Sequence, residues 1–276
     1  MNPPIPHQYD PENAGFLARL SLAAYGEDAA FDWLAARGFH VTAADAPQTD
    51  TRALIASDGV DCVAAFRGTQ DLRNWLTDLD CAFGELRIDG SNLRVHAGFK
   101  KALASVWEEF NVELDRVGRS ERFWLTGHSL GGALAMLCAR CGPAPVAGVY
   151  TFGQPRAGSG GFAAGYDALL RDRTFRIVHA ADIVPRVPWW PGGYRHAGHE
   201  IFFPSPFPPR EGQGEGFRFD PPWWRKLPLD ARALLREARH GKIALLDDHH
   251  VAAYVNLVSA VQPLPSVLAL NLEPWT

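Results

Sequence analysis

The 276-residue chain has few cysteines and lacks a long apolar run. Its four cysteines are too few for a disulfide-stabilised scaffold of this length. No apolar run reaches the roughly 20 residues that a membrane-spanning helix needs. The first residues have neither the basic start nor the apolar core that is typical of an export signal. We therefore expect a chain without a spanning helix, located in the cytoplasm.

The chain also lacks an excess of basic charge. Its 27 lysines and arginines face 31 acidic residues, which gives a formal net charge of -4. This balance argues against a nucleic-acid binder and gives no support for electrostatic docking to anionic membranes. Any transient contact with a lipid interface would therefore come from apolar and aromatic side chains. With 47% apolar residues, the composition is that of a globular protein, and we predict a single domain over residues 1–276.

Cys138 and Cys141 form a C-x-x-C pattern that could suggest a metal site. They lie in an apolar stretch with helical character, and no second pair follows at zinc-site spacing. We interpret them as small thiols of a buried helix. No metal site is predicted.

Apolar periodicity predicts alternating helices and strands. Residues 12–25 and 100–118 have apolar side chains at helical spacing, and Gly118 is a typical helix C-cap. Residues 51–57 and 60–66 are predicted strands joined by an Asp58-Gly59 hairpin. Further along, predicted strands at 123–126, 146–152 and 175–179 alternate with predicted helices at 132–140 and 162–171. The alternation predicts an α/β fold whose mainly parallel sheet has helices on both faces and an antiparallel hairpin at one side.

Residues 204–228 differ from the rest of the chain. They contain seven prolines and three glycines, together with Trp223-Trp224. Such a composition predicts a surface excursion from the domain. A short helix from Asp230 to about Arg239 and a last helix beginning near Asp248 are predicted to follow.

The strongest local signal is Gly-His-Ser-Leu-Gly at residues 127–131. It matches G-x-S-x-G, follows a predicted strand and opens a predicted helix, which is the setting of a nucleophile elbow. Glycines at the two ends leave room for the tight turn that carries Ser129. The turn also directs backbone N–H groups at the helix start toward an oxyanion. Ser129 is the predicted nucleophile, and the competing interpretation is an ordinary strand–helix turn.

A nucleophilic serine needs a base, and the base needs an orienting carboxylate. Asp182 follows the predicted strand at 175–179, at the sheet edge where sites form in open α/β folds. It is the predicted acid, with a solvated turn residue as the alternative. Asp167 and Asp172 are worse candidates because they lie in or beside a helix on the far side of the crossover.

Ten histidines compete for the role of base. His128 adjoins the serine and is expected to be structural. A late pair is favoured moderately, because a long excursion of the chain precedes it and a helix begins beside it. The residues alone do not choose within this pair or exclude the earlier histidines. The other candidates are His96, His179, His196 and His199, and the late pair is His249 and His250.

A short amphipathic stretch covers residues 71–79. Four apolar side chains recur at i, i+3, i+4 and i+7 on a predicted helix, opposite a polar face. Periodicity favours a surface helix that rests on the core. The alternative is a lid that hides its apolar face over a site. The four side chains are Leu72, Trp75, Leu76 and Leu79.

Together these motifs resemble the class 3 lipase family, which is typified by fungal triacylglycerol lipases and includes plant and bacterial esterases. The resemblance runs from the first predicted helix to the segment around His249. It implies the α/β-hydrolase fold and a serine ester hydrolase, a lipase or carboxylesterase. The matching pieces are residues 66–69, Asn74-Trp75, 95–99, 127–132, 151–156, 182–185 and Asp248-His249.

The resemblance implies a role for each matching residue. Ser129 is similar to the family's nucleophile and Asp182 to its acid. His249 matches the base, because the family often places this histidine five residues before a tyrosine, here Tyr254. His250 stays in reserve.

The resemblance also implies an oxyanion hole and a lid. Thr69 matches the residue whose backbone N–H, and often hydroxyl, binds the oxyanion, and the Leu130 N–H would be the second donor. Residues 71–79 align with the family's lid, so the resemblance favours a lid over a surface helix for this stretch. Many fungal members carry serine where this chain has Thr69, but threonine keeps both donors.

Other departures concern location and substrate. The fungal disulfides and export signal are missing, which argues against a secreted fat-digesting role. The excursion at 204–228 has no counterpart that we can place. It is interpreted either as part of an acyl or alcohol pocket, together with Trp189-Trp190, or as packing or a partner surface.

The implied reaction is acyl transfer through a covalent ester, with an ester or lipid as substrate and with no metal or organic cofactor. No nucleic acid or partner protein is predicted. Two rival hypotheses stay open: a non-catalytic lipase-like binding protein, and an acyltransferase or thioesterase-like enzyme that uses the same triad. The sequence does not determine acyl length or head group.

Overall fold

The protein was analysed as a computed structural model. The structure describes residues 1–2, 8–26, 28–69, 81–88, 90–118, 120–142, 144–180, 182–188, 193–204, 218–219 and 249–260. The helices in these ranges are α1 (Pro11–Ala23), α2 (Asp28–Ala35), α3 (Ala97–Val117), α4 (Leu130–Cys141), α5 (Gly160–Leu170) and α6 (Val251–Ser259). The strands are β1 (His40–Ala46), β2 (Thr51–Ser57), β3 (Asp61–Phe66), β4 (Phe83–Ile88), β5 (Ser91–His96), β6 (Arg122–His128), β7 (Val146–Phe152), β8 (Gly158–Ser159), β9 (Thr174–His179), β10 (Tyr194–Arg195), β11 (His199–Phe203) and β12 (Arg218–Phe219).

An eight-stranded sheet runs through the described fold in the order β1-β2-β3-β6-β7-β9-β11-β12. Strands β3, β6, β7, β9 and β11 run parallel to one another, and β12 pairs with β11 in antiparallel fashion. Strands β1, β2 and β3 pair in antiparallel fashion at one side, and Gly59 adopts φ +89° in the predicted hairpin. The mainly parallel sheet with an antiparallel side is therefore confirmed.

Helices cover both faces of this sheet because its central strands are apolar on both sides. Along β6, Phe123 and Leu125 join a core cluster with side chains of α3, α4 and α5. Trp124, between them, joins a second cluster with side chains of α1 and α6. This alternation follows from the two-residue period of a strand. It confirms the prediction of helices on both faces.

A second, smaller sheet was not predicted. Its four strands run in the order β10-β8-β5-β4, and β4 pairs with β5 in antiparallel fashion. The sequence signal was weak because β8 and β10 have two residues each and because charged residues interrupt β4 and β5. Strands β1 and β11 were also missed. Strand β11 has five residues and stands just before the proline-rich stretch.

Several predictions lie outside the described residues. These are the amphipathic stretch at 71–79, Trp189-Trp190, the helix at 230–239 and most of the excursion at 204–228. The last helix, expected near Asp248, begins at Val251. In the part of the chain that the structure describes, no helix has both the length and the apolar character needed to cross a bilayer.

We predict that Gly148→Ala destabilises the fold. Gly148 lies opposite Trp124 across β6 and β7, and an added Cβ would come within 2.5 Å of the indole ring. The ring cannot retreat easily because it is fully buried and its N–H donates to Asp61 Oδ1 at 2.7 Å. Overpacking of this kind costs about 1–3 kcal/mol of unfolding free energy, measurable by urea denaturation.

The matched control is Gly165→Ala. Gly165 lies inside α5, and an added Cβ there would meet Leu93 at an ordinary 4.0 Å. Alanine is favoured over glycine inside a helix by about 1 kcal/mol, so this variant should be more stable. Equal stability of the two variants would contradict the packing argument.

Candidate active site

Ser129 stands in a strained turn between β6 and α4. Its backbone has φ +57° and ψ -128°, a conformation that side-chain-bearing residues rarely adopt. A Cβ on Gly127 would collide with the backbone of Gly131, and one on Gly131 would collide with the Phe66 carbonyl. The turn therefore needs both glycines. The Ser129 N–H donates to the Phe152 carbonyl at 2.9 Å, which fixes the turn to the neighbouring strand.

Asp182 and His249 form a buried hydrogen-bonded pair. Asp182 follows β9 and His249 precedes α6, and the distance from His249 Nδ1 to Asp182 Oδ2 is 2.7 Å. The two side chains are 0% and 3% exposed. The structure thus brings together two of the residues that the sequence singled out, across 67 positions of the chain.

Two more donors orient the Asp182 carboxylate. The Val184 N–H donates to Oδ1 at 2.8 Å, and the Tyr254 hydroxyl donates to Oδ2 at 2.6 Å. The Tyr254 oxygen in turn accepts the His179 N–H at 3.1 Å, so its own proton is directed to the carboxylate. Both carboxylate oxygens act as acceptors. His249 accordingly carries its proton on Nδ1, and Nε2 is the basic nitrogen.

Two atoms of this group have no hydrogen-bond partner among the described residues. They are Ser129 Oγ and His249 Nε2, and both are buried. Buried polar atoms are normally paired, and unpaired ones are typical of a site that handles a reacting group. A hydroxyl and a basic imidazole nitrogen are the two atoms between which a proton must pass in nucleophilic catalysis by serine.

The other histidines have different surroundings. His250 is exposed at the start of α6, and His196 Nε2 bonds to the Pro185 carbonyl at 2.6 Å. His96 Nδ1 accepts the Gly98 N–H at 3.1 Å and caps α3. His199 stacks on Phe175 with 6.0 Å between ring centroids. The geometry therefore favours His249 in the late pair that the sequence left open. Asp167, a rejected acid candidate, accepts the Gly198 N–H and pairs with Arg171.

The loop that carries Thr69 lies against the elbow. Gly68, the preceding residue, is so close that an added Cβ would lie 3.1 Å from Ser129 Cβ and 2.7 Å from the His128 carbonyl oxygen. Leu130 is the first residue of α4, so its N–H has no carbonyl acceptor within the helix. Leu130 directly follows the serine, and Thr69 directly follows the glycine that lies against it. The predicted lid residues 72, 75, 76 and 79 lie outside the described residues.

Gly153 belongs to the site, although no role was predicted for it. It adopts φ +60°, and an added Cβ would lie 2.8 Å from Asp182 Oδ2 and 2.9 Å from His249 Nδ1. The missing side chain makes room for the pair. Its position in a motif that matches the family, residues 151–156, was the available signal. In the described ranges no cluster of histidine, cysteine or acidic side chains could hold a metal ion.

Comparisons with known proteins agree with this geometry. Residues 63–191 match the family model described as Lipase (class 3). A secreted mono- and diacylglycerol lipase 1 of Fusarium solani is 33% identical over 168 residues, which are 56% of this chain and 48% of the relative. A lipase of Rhizomucor miehei is 35% identical over 166 residues, 55% of this chain and 45% of the relative. The chain thus spans about half the length of these curated relatives.

Solved structures show the same fold. A lipase from Rhizopus microsporus var. chinensis superposes with a TM-score of 0.62 at 26% identity, covering 76% of this chain and 77% of that one. A structure described as a triacylglycerol lipase whose catalytic centre is a serine protease triad has a TM-score of 0.59 at 27% identity, covering 70% and 79%. The chain has the α/β-hydrolase fold.

The expected cytoplasmic location is wrong by these comparisons. The relative from Fusarium solani and a further match from Penicillium cyclopium are named secreted lipases. These names conflict with a cytoplasmic location. The expectation rested on a missing apolar segment. A missing segment carries no positive information about where a chain resides.

We predict that Gly153→Ala breaks the hydrogen bond between Asp182 and His249. The new Cβ would occupy space that their side chains now fill. The proton on His249 Nδ1 should give a downfield resonance in the NMR spectrum of the unaltered protein, and this resonance should disappear in the variant.

Gly59→Ala is the matched control for backbone strain. Gly59 also has a positive φ, but an added Cβ would meet nothing within 4 Å. Both substitutions carry about 1–2 kcal/mol of left-handed backbone strain, yet the control should keep the resonance. Loss of the signal in both variants would show that strain, and not the collision, is responsible.

Proposed function

We propose that the chain is a serine ester hydrolase of the class 3 lipase family, whose model matches residues 63–191. Its substrates are carboxylic esters of lipids, cleaved through an acyl-enzyme on Ser129. One observation carries this proposal. The 2.7 Å bond from His249 Nδ1 to Asp182 Oδ2 leaves Nε2 as a buried base without a partner among the described residues, and Ser129 Oγ on its strained elbow likewise has none.

The first half-reaction forms the acyl-enzyme. Ser129 Oγ attacks the ester carbonyl carbon while His249 Nε2 takes the hydroxyl proton. Asp182 holds the imidazole in the required tautomer and stabilises the imidazolium that forms. The N–H groups of Thr69 and Leu130 bind the oxyanion of the tetrahedral intermediate. The alcohol then leaves with the proton from His249, and the acyl group stays on Ser129.

The second half-reaction returns the free enzyme. A water molecule gives a proton to His249 and attacks the acyl carbon. The tetrahedral intermediate uses the same two N–H donors. Its collapse releases the carboxylic acid, and the proton on His249 returns to Ser129 Oγ. Because the imidazole alternates between base and acid, its tautomer has to be held throughout the cycle.

The names of relatives support a lipid ester as substrate. Besides the fungal lipases, matches include a triacylglycerol lipase OBL1 of Arabidopsis thaliana at 33% identity and a phospholipase A1-II 4 of Oryza sativa subsp. japonica, also at 33%. All of these names denote hydrolases of lipid esters. The proposal stays with this shared class and assigns no head group.

We predict that Ser129→Ala lowers kcat on p-nitrophenyl esters by on the order of 10⁴ to 10⁶, as in other serine triads. The physical reason is that no covalent intermediate can form without the hydroxyl oxygen. The control is Ser159→Ala, which removes the N-cap of α5. This variant should lose about 1 kcal/mol of stability and keep its kcat. Near-normal turnover by the Ser129 variant would refute the assignment.

We predict opposite outcomes for two adjacent histidines. His249→Ala should abolish ester hydrolysis because it removes the base and leaves Asp182 buried without that partner. His250→Ala should keep nearly full activity because His250 is exposed and lies outside the pair. Initial rates at saturating ester distinguish the two variants. An inactive His250 variant beside an active His249 variant would reverse the choice of base.

A further inference from the structure

His128, the residue before the serine, makes two hydrogen bonds that the proposed mechanism does not use. Its Nδ1 lies 2.8 Å from the Tyr25 hydroxyl, and its Nε2 lies 2.5 Å from the His249 carbonyl oxygen. The ring is buried and lies beside the imidazole of His249, with 4.5 Å between centroids. A buried histidine with both nitrogens engaged is held in one orientation.

The partners determine where the protons lie. The His249 carbonyl has no proton, so His128 Nε2 is the donor in that bond. If the ring is neutral, Nδ1 accepts, and the Tyr25 hydroxyl donates to it. Burial lowers the pKa of His128 well below its usual value, and the neighbouring His249 adds to the effect. In the neutral ring each nitrogen thus has one partner, with Nε2 as donor and Nδ1 as acceptor.

The contacts continue to the loop of the proposed oxyanion hole. An added Cβ on Gly68 would lie 2.4 Å from the Tyr25 hydroxyl oxygen, so this oxygen lies directly against the loop. Gly68 directly precedes Thr69. One continuous path of contacts therefore runs from Gly68 through the Tyr25 hydroxyl and the His128 ring to the backbone of His249.

This path joins three separate segments of the chain. Tyr25 lies just after α1, Gly68 just after β3, and His249 just before α6. Packing alone would not align polar atoms in this way, because apolar side chains could fill the same space without any need for partners. The contacts tie the loop that carries Thr69 and the segment that carries His249 to the residue next to Ser129.

We propose that Tyr25 and His128 are positioning residues that hold the Thr69 loop and the His249 backbone in register around Ser129. This inference rests on the proposed function, since it concerns the geometry of the same reaction. Neither side chain transfers a proton to or from the substrate. Their contribution is to keep the base and the oxyanion donors at distances at which both can act on one tetrahedral intermediate.

The first test is Tyr25→Phe, which removes one hydroxyl and keeps the ring. We expect kcat to fall on the order of 10-fold, the effect of one hydrogen bond lost in the transition state, with KM unchanged. The matched control is Tyr166→Phe on α5, which removes a buried hydroxyl that bonds to Thr174 Oγ1 at 3.0 Å. The control should lose similar stability and keep its kcat.

A second readout does not depend on turnover. The Nδ1 proton resonance of His249 reports the geometry of its bond to Asp182, and Tyr25→Phe should shift it while Tyr166→Phe should not. An unchanged resonance together with an unchanged kcat would overturn the inference. If the unaltered protein hydrolyses no ester but Tyr25→Phe still shifts the resonance, the proposed function fails and the positioning role stands. An unaltered protein that hydrolyses no ester, together with an unchanged resonance in Tyr25→Phe, would refute both proposals.

Rescue by a conservative substitution separates the hydrogen bond from packing. His128→Gln keeps an N–H that can donate to the His249 carbonyl, whereas His128→Leu fills the space without a donor. We expect the Leu variant to lose on the order of 10-fold more kcat than the Gln variant, at equal KM. Equal losses in the two variants would contradict the role assigned to this bond. If His128→Leu does not fold, the Tyr25→Phe comparison decides alone.

Discussion

The hydrogen bond between His249 and Asp182 is the interaction on which the rest of the site depends. It joins the end of β9 to the start of α6 and fixes which nitrogen of the imidazole can act as a base. A carboxylate buried without partners would cost several kcal/mol. Here three donors converge on it, from Val184, Tyr254 and His249. Burial strengthens the hydrogen bond of the pair. The carboxylate can be buried because the surrounding fold supplies these three donors.

Backbone conformation makes room for this pair and for the serine. Gly153 leaves the space that the imidazole and carboxylate fill, and Gly127 and Gly131 allow the turn at Ser129. All three glycines follow or flank the ends of neighbouring parallel strands. The carboxyl edge of β6, β7 and β9 therefore carries the proposed nucleophile, the open space and the proposed acid side by side. This is the edge at which open α/β sheets form their sites.

Much of this arrangement could be predicted from the sequence. The strands at the centre of the sheet are buried on both faces, so they form near-continuous apolar runs, and the elbow has a local signature. The choice between His249 and His250 could not be made from the residues, because adjacent positions differ only in orientation. That orientation depends on packing between segments 67 residues apart. The smaller sheet was missed for a related reason, since its short strands are stabilised by partners distant in sequence and carry little apolar pattern of their own.

The central claim is that Ser129 is a nucleophile activated by the buried pair. The most direct measurement is treatment with a fluorophosphonate, followed by peptide mapping of the adduct by mass spectrometry. The account predicts a single covalent adduct on Ser129, formed rapidly by the folded protein and not formed when the protein is denatured before treatment. No adduct, or an adduct on a different residue, would contradict it.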